Sequence, residues 1–113
     1  MNHFELVCIF KPDLTNQSID NLTKKVLEII ENLEGKIIGK EIWGLRNFSY
    51  TIKTYKKGFY IFLQLDINGN IINKINNAFN INEDIIRYLI IKVDKHEKLP
   101  TIILKEKENN NEK

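Results

Sequence analysis

Few side chains in this sequence are of the types that catalyse reactions or bind metal ions. Cys8 is the only cysteine, and the histidines are His3 and His96. Cys8 lies in an apolar run, where a thiol is expected to pack as a small hydrophobe and not to act as a nucleophile. A single cysteine forms no internal disulfide, and the histidines lack the spacing of a metal-ligand pair. We therefore expect no catalytic residue, no metal site and no cofactor.

The arginines are the more informative charged residues. Lys and Arg number 17 against 15 Asp and Glu, so the formal net charge is only +2 and gives no strong overall attraction to polyanions. Arg46 and Arg87 are the only arginines, and the planar guanidinium binds phosphate better than lysine does. Any contact with nucleic acid is expected to use a local patch that includes them.

Length and composition indicate one folded domain. The chain has 113 residues, of which 42% are hydrophobic and 28% charged. No apolar stretch approaches the ~18 residues of a membrane span, and the first residues do not resemble a signal peptide. We expect a cytoplasmic protein with no membrane partner, a single domain over residues 1–104 and a disordered polar tail over 105–113.

The elements that must position these residues follow from apolar periodicity. A strand is predicted from Phe4 to Phe10, closed by a turn at 11–13. Apolar residues then recur at helical spacing from Ile19 to Leu33, with Ser18 as the expected cap and Gly35 after the end. A long strand over 36–53, bulged at Gly44, and a turn over 54–58 are predicted to follow.

The second half of the sequence repeats the pattern. A strand over 59–67 precedes Asn68-Gly69-Asn70, which is expected to cap a helix ending near Phe79, and the last strand covers 85–93. The order strand, helix, strand, strand, helix, strand predicts an α+β, ferredoxin-like split β-α-β fold. Its antiparallel sheet has four strands, with two helices on one face and the other face open.

An open sheet face in this fold is a common place for RNA or a protein partner, and specific residues must decide the function. An acyl-phosphate hydrolase on this fold would need an arginine in the loop after the first strand, and that loop reads Lys11-Pro12-Asp13-Leu14. None of the five glycines has the spacing of a nucleotide-binding loop. A small regulatory domain that binds a metabolite and homodimerises remains the alternative.

One motif resembles a known family. It reads Gly44-Leu45-Arg46-Asn47-Phe48-Ser49-Tyr50-Thr51-Ile52-Lys53, followed by Lys57-Gly58-Phe59-Tyr60. Together with Phe4-Glu5 and the 11–14 turn, this pattern is similar to the bacterial small-subunit ribosomal protein six family over about residues 3 to 95. The resemblance implies a non-catalytic constituent of the small ribosomal subunit, in a bacterium or an organelle, without a small-molecule substrate.

The resemblance also implies partners and sites. It implies binding to the central domain of small-subunit ribosomal RNA beside small-subunit ribosomal protein eighteen. The expected RNA contacts are His3, Phe4, Arg46, Arg87 and Lys92, and the expected protein contacts are Trp43, Tyr50, Lys53 and Tyr55.

This sequence lacks several basic residues of that family. Many members of that family carry a second basic residue where Asn47 stands, a proline where Thr51 stands, and further arginines around Asn80, Asn82 and Ile86. We hypothesise that this chain depends on its protein partner for RNA binding more than arginine-rich relatives do.

Overall fold

The strands and helices alternate as the sequence predicts. The structure is a computed structural model that describes residues 1–99. Its elements are β1 (Asn2–Phe10), α1 (Asn16–Asn32), β2 (Lys36–Ile52), β3 (Tyr55–Ile67), a short 3-10 helix (Gly69–Ile71), α2 (Ile72–Asn80) and β4 (Ile85–Val93). The four strands form one antiparallel sheet in the order β2-β3-β1-β4. The ferredoxin-like fold is confirmed, whereas the predicted tail over 105–113 and residues 100–104 lie outside the described residues.

The core lies between the sheet and the two helices. Because side chains alternate across a strand, the even-numbered residues of β1 from Phe4 to Phe10 all point to the helices and are buried. They pack with alternate residues of β3, such as Leu63, and with Val26 of α1 and Phe79 of α2. Helix-side packing therefore fixes which residues of β1 and β3 face the open side.

Helix α1 begins and ends at residues other than those expected. The side chain of Thr15, not Ser18, caps the helix, since its Oγ1 accepts a hydrogen bond of 3.1 Å from the Ser18 amide. At the other end Glu34 has a φ of 66°, and the Gly35 amide donates to the Ile30 carbonyl at 2.9 Å. The left-handed residue at the end of α1 is thus Glu34 and not Gly35.

The hairpin between β2 and β3 is longer than predicted. Its turn is Lys53-Thr54, with φ values of 47° and 73°, and Ile52 pairs with Tyr55. Positive φ at both central residues defines a two-residue turn whose twist matches the strands. The predicted turn over 54–58 is wrong, because Tyr55 to Gly58 belong to β3. The bulge at Gly44 is confirmed by a register shift there and a φ of 81°.

The open face of the sheet is covered at one end by the segment that follows β4. In this segment, residues 94–99, the Glu97 carbonyl accepts a 2.8 Å hydrogen bond from Nε2 of Gln64 on β3. Farther on, Leu99 reaches Gly39 on β2, where an added Cβ would meet its Cδ1 at 2.8 Å. The segment therefore crosses from β4 to β2. Neither helix in the described range is long and apolar enough to cross a bilayer.

Candidate functional site

A basic groove lies at the end of the sheet that residues 94–99 leave open. It has a volume of about 750 Å³ and separates the hairpin tip from the beginning of β4. Lys11, Lys53 and Arg87 all line it, together with the acidic Glu83 and the amides of Asn80 and Asn82. Lys11 Nζ also lies 3.6 Å from Asp84 Oδ1, so part of its charge is balanced within the chain. Arg87 is exposed and supplies the fixed charge of the groove.

Arg46 lies on the open face of β2, beside the ring of Trp43. Its guanidinium carbon is 5.8 Å from the centroid of the Trp43 ring, a cation–π geometry. Nε and Nη2 are buried and have no hydrogen-bond partner within residues 1–99. Burying unpaired N–H groups of a cation is unfavourable. The Arg46 side chain is therefore suited to donate hydrogen bonds to a carboxylate or phosphate of another molecule.

Trp43 is buried beneath Arg46 and is held in place by two neighbouring side chains. Its ring stacks on Phe62 at 5.1 Å between centroids, and its Nε1 donates a 2.9 Å hydrogen bond to Oε1 of Glu41. Only 7% of Trp43 is exposed. The predicted protein contact at Trp43 therefore has little surface to offer, and the residue positions its neighbours instead.

The other predicted protein contacts are accessible. Tyr50 is 75% exposed near the end of β2. Lys53 is exposed in the turn, and Tyr55 is half-buried at the beginning of β3. Lys53 and Tyr55 also line the basic groove, so the groove and the hairpin form one continuous surface.

The remaining predicted RNA contacts lie elsewhere. Phe4 is in the core with 6% exposure, so its side chain is unavailable to a surface ligand. Lys92 is exposed and pairs with Phe4 across β1 and β4, which places it on the helix side of the sheet. His3 stands on the open face, at the end of β1 far from Arg87. The structure thus brings Arg87, Lys53 and Tyr55 together and leaves His3, Phe4 and Lys92 apart from them.

His3 belongs to a cluster that sequence spacing did not reveal. Its Nδ1 lies 2.5 Å from Oδ1 of Asp66, and Nε2 of His96 lies 2.8 Å from the same oxygen. The hydrogen bond from His3 is the main reason that the pKa of Asp66 is below its ordinary value, with His96 adding to it and burial opposing it. Nδ1 of His96 is buried without a partner in the described residues, so the ring proton is expected on Nε2. The contact between His3 and Asp66 could have been predicted only from the pairing register of β1 and β3.

Cys8 has no role in a surface site. It is fully buried between the sheet and the helices, and burial raises the pKa of its thiol to about 12. The thiolate needed for nucleophilic attack is therefore absent at neutral pH.

These features define a class of protein: a small ferredoxin-like domain with a basic groove beside a long hairpin. The family described as ribosomal protein S6 matches residues 3–92. Among curated proteins, the chain is 41% identical over 112 residues to small ribosomal subunit protein bS6 of Blochmanniella floridana, covering 99% of this chain and 92% of that protein. The bS6 of Rickettsia felis is 40% identical over 111 residues, with 98% and 92% covered.

A solved structure agrees with the sequence comparisons. The crystal structure of 30S ribosomal protein S6 from Thermotoga maritima superposes with a TM-score of 0.77 at 26% identity, covering 99% of this chain and 98% of that one. The chain therefore belongs to the ribosomal protein S6 family of the small ribosomal subunit. The family expected from the 44–60 motif is confirmed.

Proposed function

We propose that this chain is a structural component of the small ribosomal subunit that binds small-subunit ribosomal RNA in the central domain, together with small-subunit protein eighteen. Membership of the ribosomal protein S6 family supports a place in the subunit. The observation that carries RNA binding is the convergence of Lys11, Lys53 and Arg87 in one groove. RNA phosphates are held by such local groups of cations, even where the net charge of a protein is small.

Arg87 is the principal contact in this proposal. It is exposed, it is fixed in a strand at the mouth of the groove, and its charge persists at all physiological pH values. Lys53 lines the same groove from the turn between β2 and β3, so a phosphate bound there would meet cations from the hairpin and from β4. Asn80 and Asn82 add polar groups to the lining of the groove.

Arg46 is the second contact. Its unpaired nitrogens would gain acceptors from a phosphate once the side chain turns outward from the Trp43 ring. His3 and Lys92 are peripheral contacts in this proposal, because they lie away from the groove. Phe4 makes no side-chain contact, since it is part of the core.

The protein partner is proposed to bind the hairpin and strand β2. Within the described residues β2 pairs only with β3, so it forms an edge of the sheet. Exposed apolar side chains along it, among them Leu45 and Tyr50, give the partner a surface to bury. Lys53 and Tyr55 connect this surface to the groove, which would place the partner and the RNA side by side.

RNA binding is tested by titrating the full chain, with and without protein eighteen, against a central-domain RNA fragment over a salt series. Arg87→Ala is expected to lower the slope of log affinity against log salt by about one. Lys24→Ala, an exposed lysine on α1, is the matched control and should leave the slope unchanged. Equal effects of the two substitutions would refute the groove as the RNA site.

The partner surface is tested in the same titration. Tyr50→Ala is expected to weaken the gain in RNA affinity that protein eighteen provides, and to leave RNA binding by the chain alone unchanged. If the chain binds the RNA equally well with and without protein eighteen, the proposed dependence on a partner is wrong.

A further inference from the structure

The end of the open face opposite the groove carries both histidines of the chain and a carboxylate. His3 and Asp66 are paired residues of β1 and β3, so their side chains stand side by side on the open face. The pair therefore results from strand register and needs no flexible loop. Arg87 of β4 pairs with Ile9, which follows His3 by six residues, or about 20 Å, along β1, so this cluster is distinct from the basic groove.

His96 is brought to this pair by the segment over residues 94–99. The hydrogen bond from Gln64 to the Glu97 carbonyl fixes the neighbouring backbone over β3. The His96 side chain is only 11% exposed, and its ring centroid lies 4.8 Å from that of His3. Three separate parts of the chain thus contribute one donor atom each to the same small volume.

We propose that His3, Asp66 and His96 bind one divalent transition-metal ion, with zinc as the best fit. Two imidazoles and one carboxylate are a ligand set typical of zinc sites that keep a fourth position for water or another ligand. Hard cations such as Mg²⁺ prefer oxygen ligands, and two nitrogen donors disfavour them. The ion would join the segment over 94–99 to β1 and β3 through coordinate bonds.

The distances allow this coordination after a small adjustment. The three donor atoms lie within 4.8 Å of one another. At a metal–ligand distance of about 2.1 Å, tetrahedral ligand atoms are separated by roughly 3.4 Å. The two His–Asp contacts at 2.5 and 2.8 Å would lengthen, since the metal replaces the protons that the rings share with Asp66. His3 can move to accommodate the ion because 42% of its side chain is exposed.

Nearby carboxylates favour a cation at this position. Glu5 lies on the same face of β1, two residues after His3. Glu97 follows His96 directly in the segment over residues 94–99. A divalent ion at this position would be attracted by the negative charges of Glu5, Asp66 and Glu97.

The proposal is tested by titrating the full, tag-free chain with Zn²⁺ in a calorimeter and with Co²⁺ in a spectrophotometer. We expect one ion per chain and visible Co²⁺ absorption typical of a tetrahedral site without a thiolate band. Asp66→Asn and His96→Gln should each weaken metal affinity at least ten-fold. Asp13→Asn, an exposed acidic residue at the opposite end of β1, is the matched control and should bind as the unaltered chain does.

Thermal unfolding separates a metal site from a merely structural hydrogen-bond cluster. Zn²⁺ should raise the Tm of the unaltered chain and of Asp13→Asn by several degrees, and leave the Tm of Asp66→Asn unchanged. Asp66→Asn keeps an oxygen that can accept from His3, so it is expected to fold without metal. Absence of binding at millimolar Zn²⁺, or equal affinity of the unaltered chain and His96→Gln, would overturn the proposal.

Discussion

The two faces of the sheet differ in how their residues are used. The helix side holds the apolar core, in which Leu6, Phe10 and Leu63 are fully buried. The open side combines aromatic residues, Arg46, Asp66 and exposed aliphatic residues such as Leu89. The alternation of side chains along the same four strands thus separates the residues that form the core from those that are available to contact other molecules.

The largest expected difference between the two faces is in the rate at which a cysteine thiol reacts with a reagent in solution. Cys8 should react with a maleimide only through global unfolding, at least a thousand-fold more slowly than in the unfolded chain. A chain that carries Cys8→Ala and Leu89→Cys should react at once, since residue 89 is exposed on the other face. Labelling rates followed by mass spectrometry test this, and fast labelling of Cys8 in the folded chain would show that the core opens locally.

Replacing a large side chain with Ala should lower the free energy of unfolding by several kcal/mol more on the helix side than on the open side. Phe10→Ala removes a fully buried ring and is expected to lower the free energy of unfolding by about 3–5 kcal/mol. Leu89→Ala, at 54% exposure, should change it by less than about 0.5 kcal/mol. Urea denaturation gives both values, and similar losses would mean that the open face is packed as tightly as the core.

A smaller effect tests how tightly the open face is packed near Arg46. A Cβ at Gly58 would lie 2.5 Å from Cγ2 of Ile9 and 2.9 Å from a carbon of the Phe48 ring. Gly58→Ala should therefore cost about 1–3 kcal/mol in unfolding free energy. Gly69→Ala is the control, because nothing lies within 4 Å of the added carbon. An unchanged free energy of unfolding in Gly58→Ala would show that the side chains of Ile9 and Phe48 move freely.

The smallest expected effect is a gain in stability from a substitution in the turn between β2 and β3. Thr54 has a φ of 73°, a conformation that β-branched residues disfavour. Thr54→Gly should stabilise the chain by about 1 kcal/mol, whereas Thr51→Gly, in β2, should destabilise it by a similar amount. The two midpoints of urea unfolding should shift in opposite directions, and a loss in both variants would disprove strain at the turn.

The elements with regular apolar patterns were predictable from the sequence. Residues 85–93 form β4 as expected, and the Gly44 bulge followed from a glycine inside a strand pattern. The turn was misplaced because Lys53 and Thr54 carry none of the usual signals for positive φ. Two lysines and a glycine within residues 55–58 favour a turn, although the hairpin continues through them as a strand.

The candidate site was predictable in part. Arg87 and the hairpin residues were selected from residue type and family resemblance, and the structure places Arg87, Lys53 and Tyr55 around one groove. Burial of Phe4 and Trp43 depends on which side of a strand faces the helices, which the motif alone does not specify. The His3, Asp66 and His96 cluster requires contacts between residues distant in sequence, so local spacing could not reveal it.

The central position of β1 has a consequence for how the chain is made. This strand is synthesised first, yet its sheet partners are β3 and β4, which lie in the second half of the chain. Loops of many residues must close before these pairings form, a topology associated with slow folding. During synthesis one edge of β1 remains unpaired until β3 leaves the ribosome and the other until β4 does, so the sheet is completed only after the last strand of the domain has been translated.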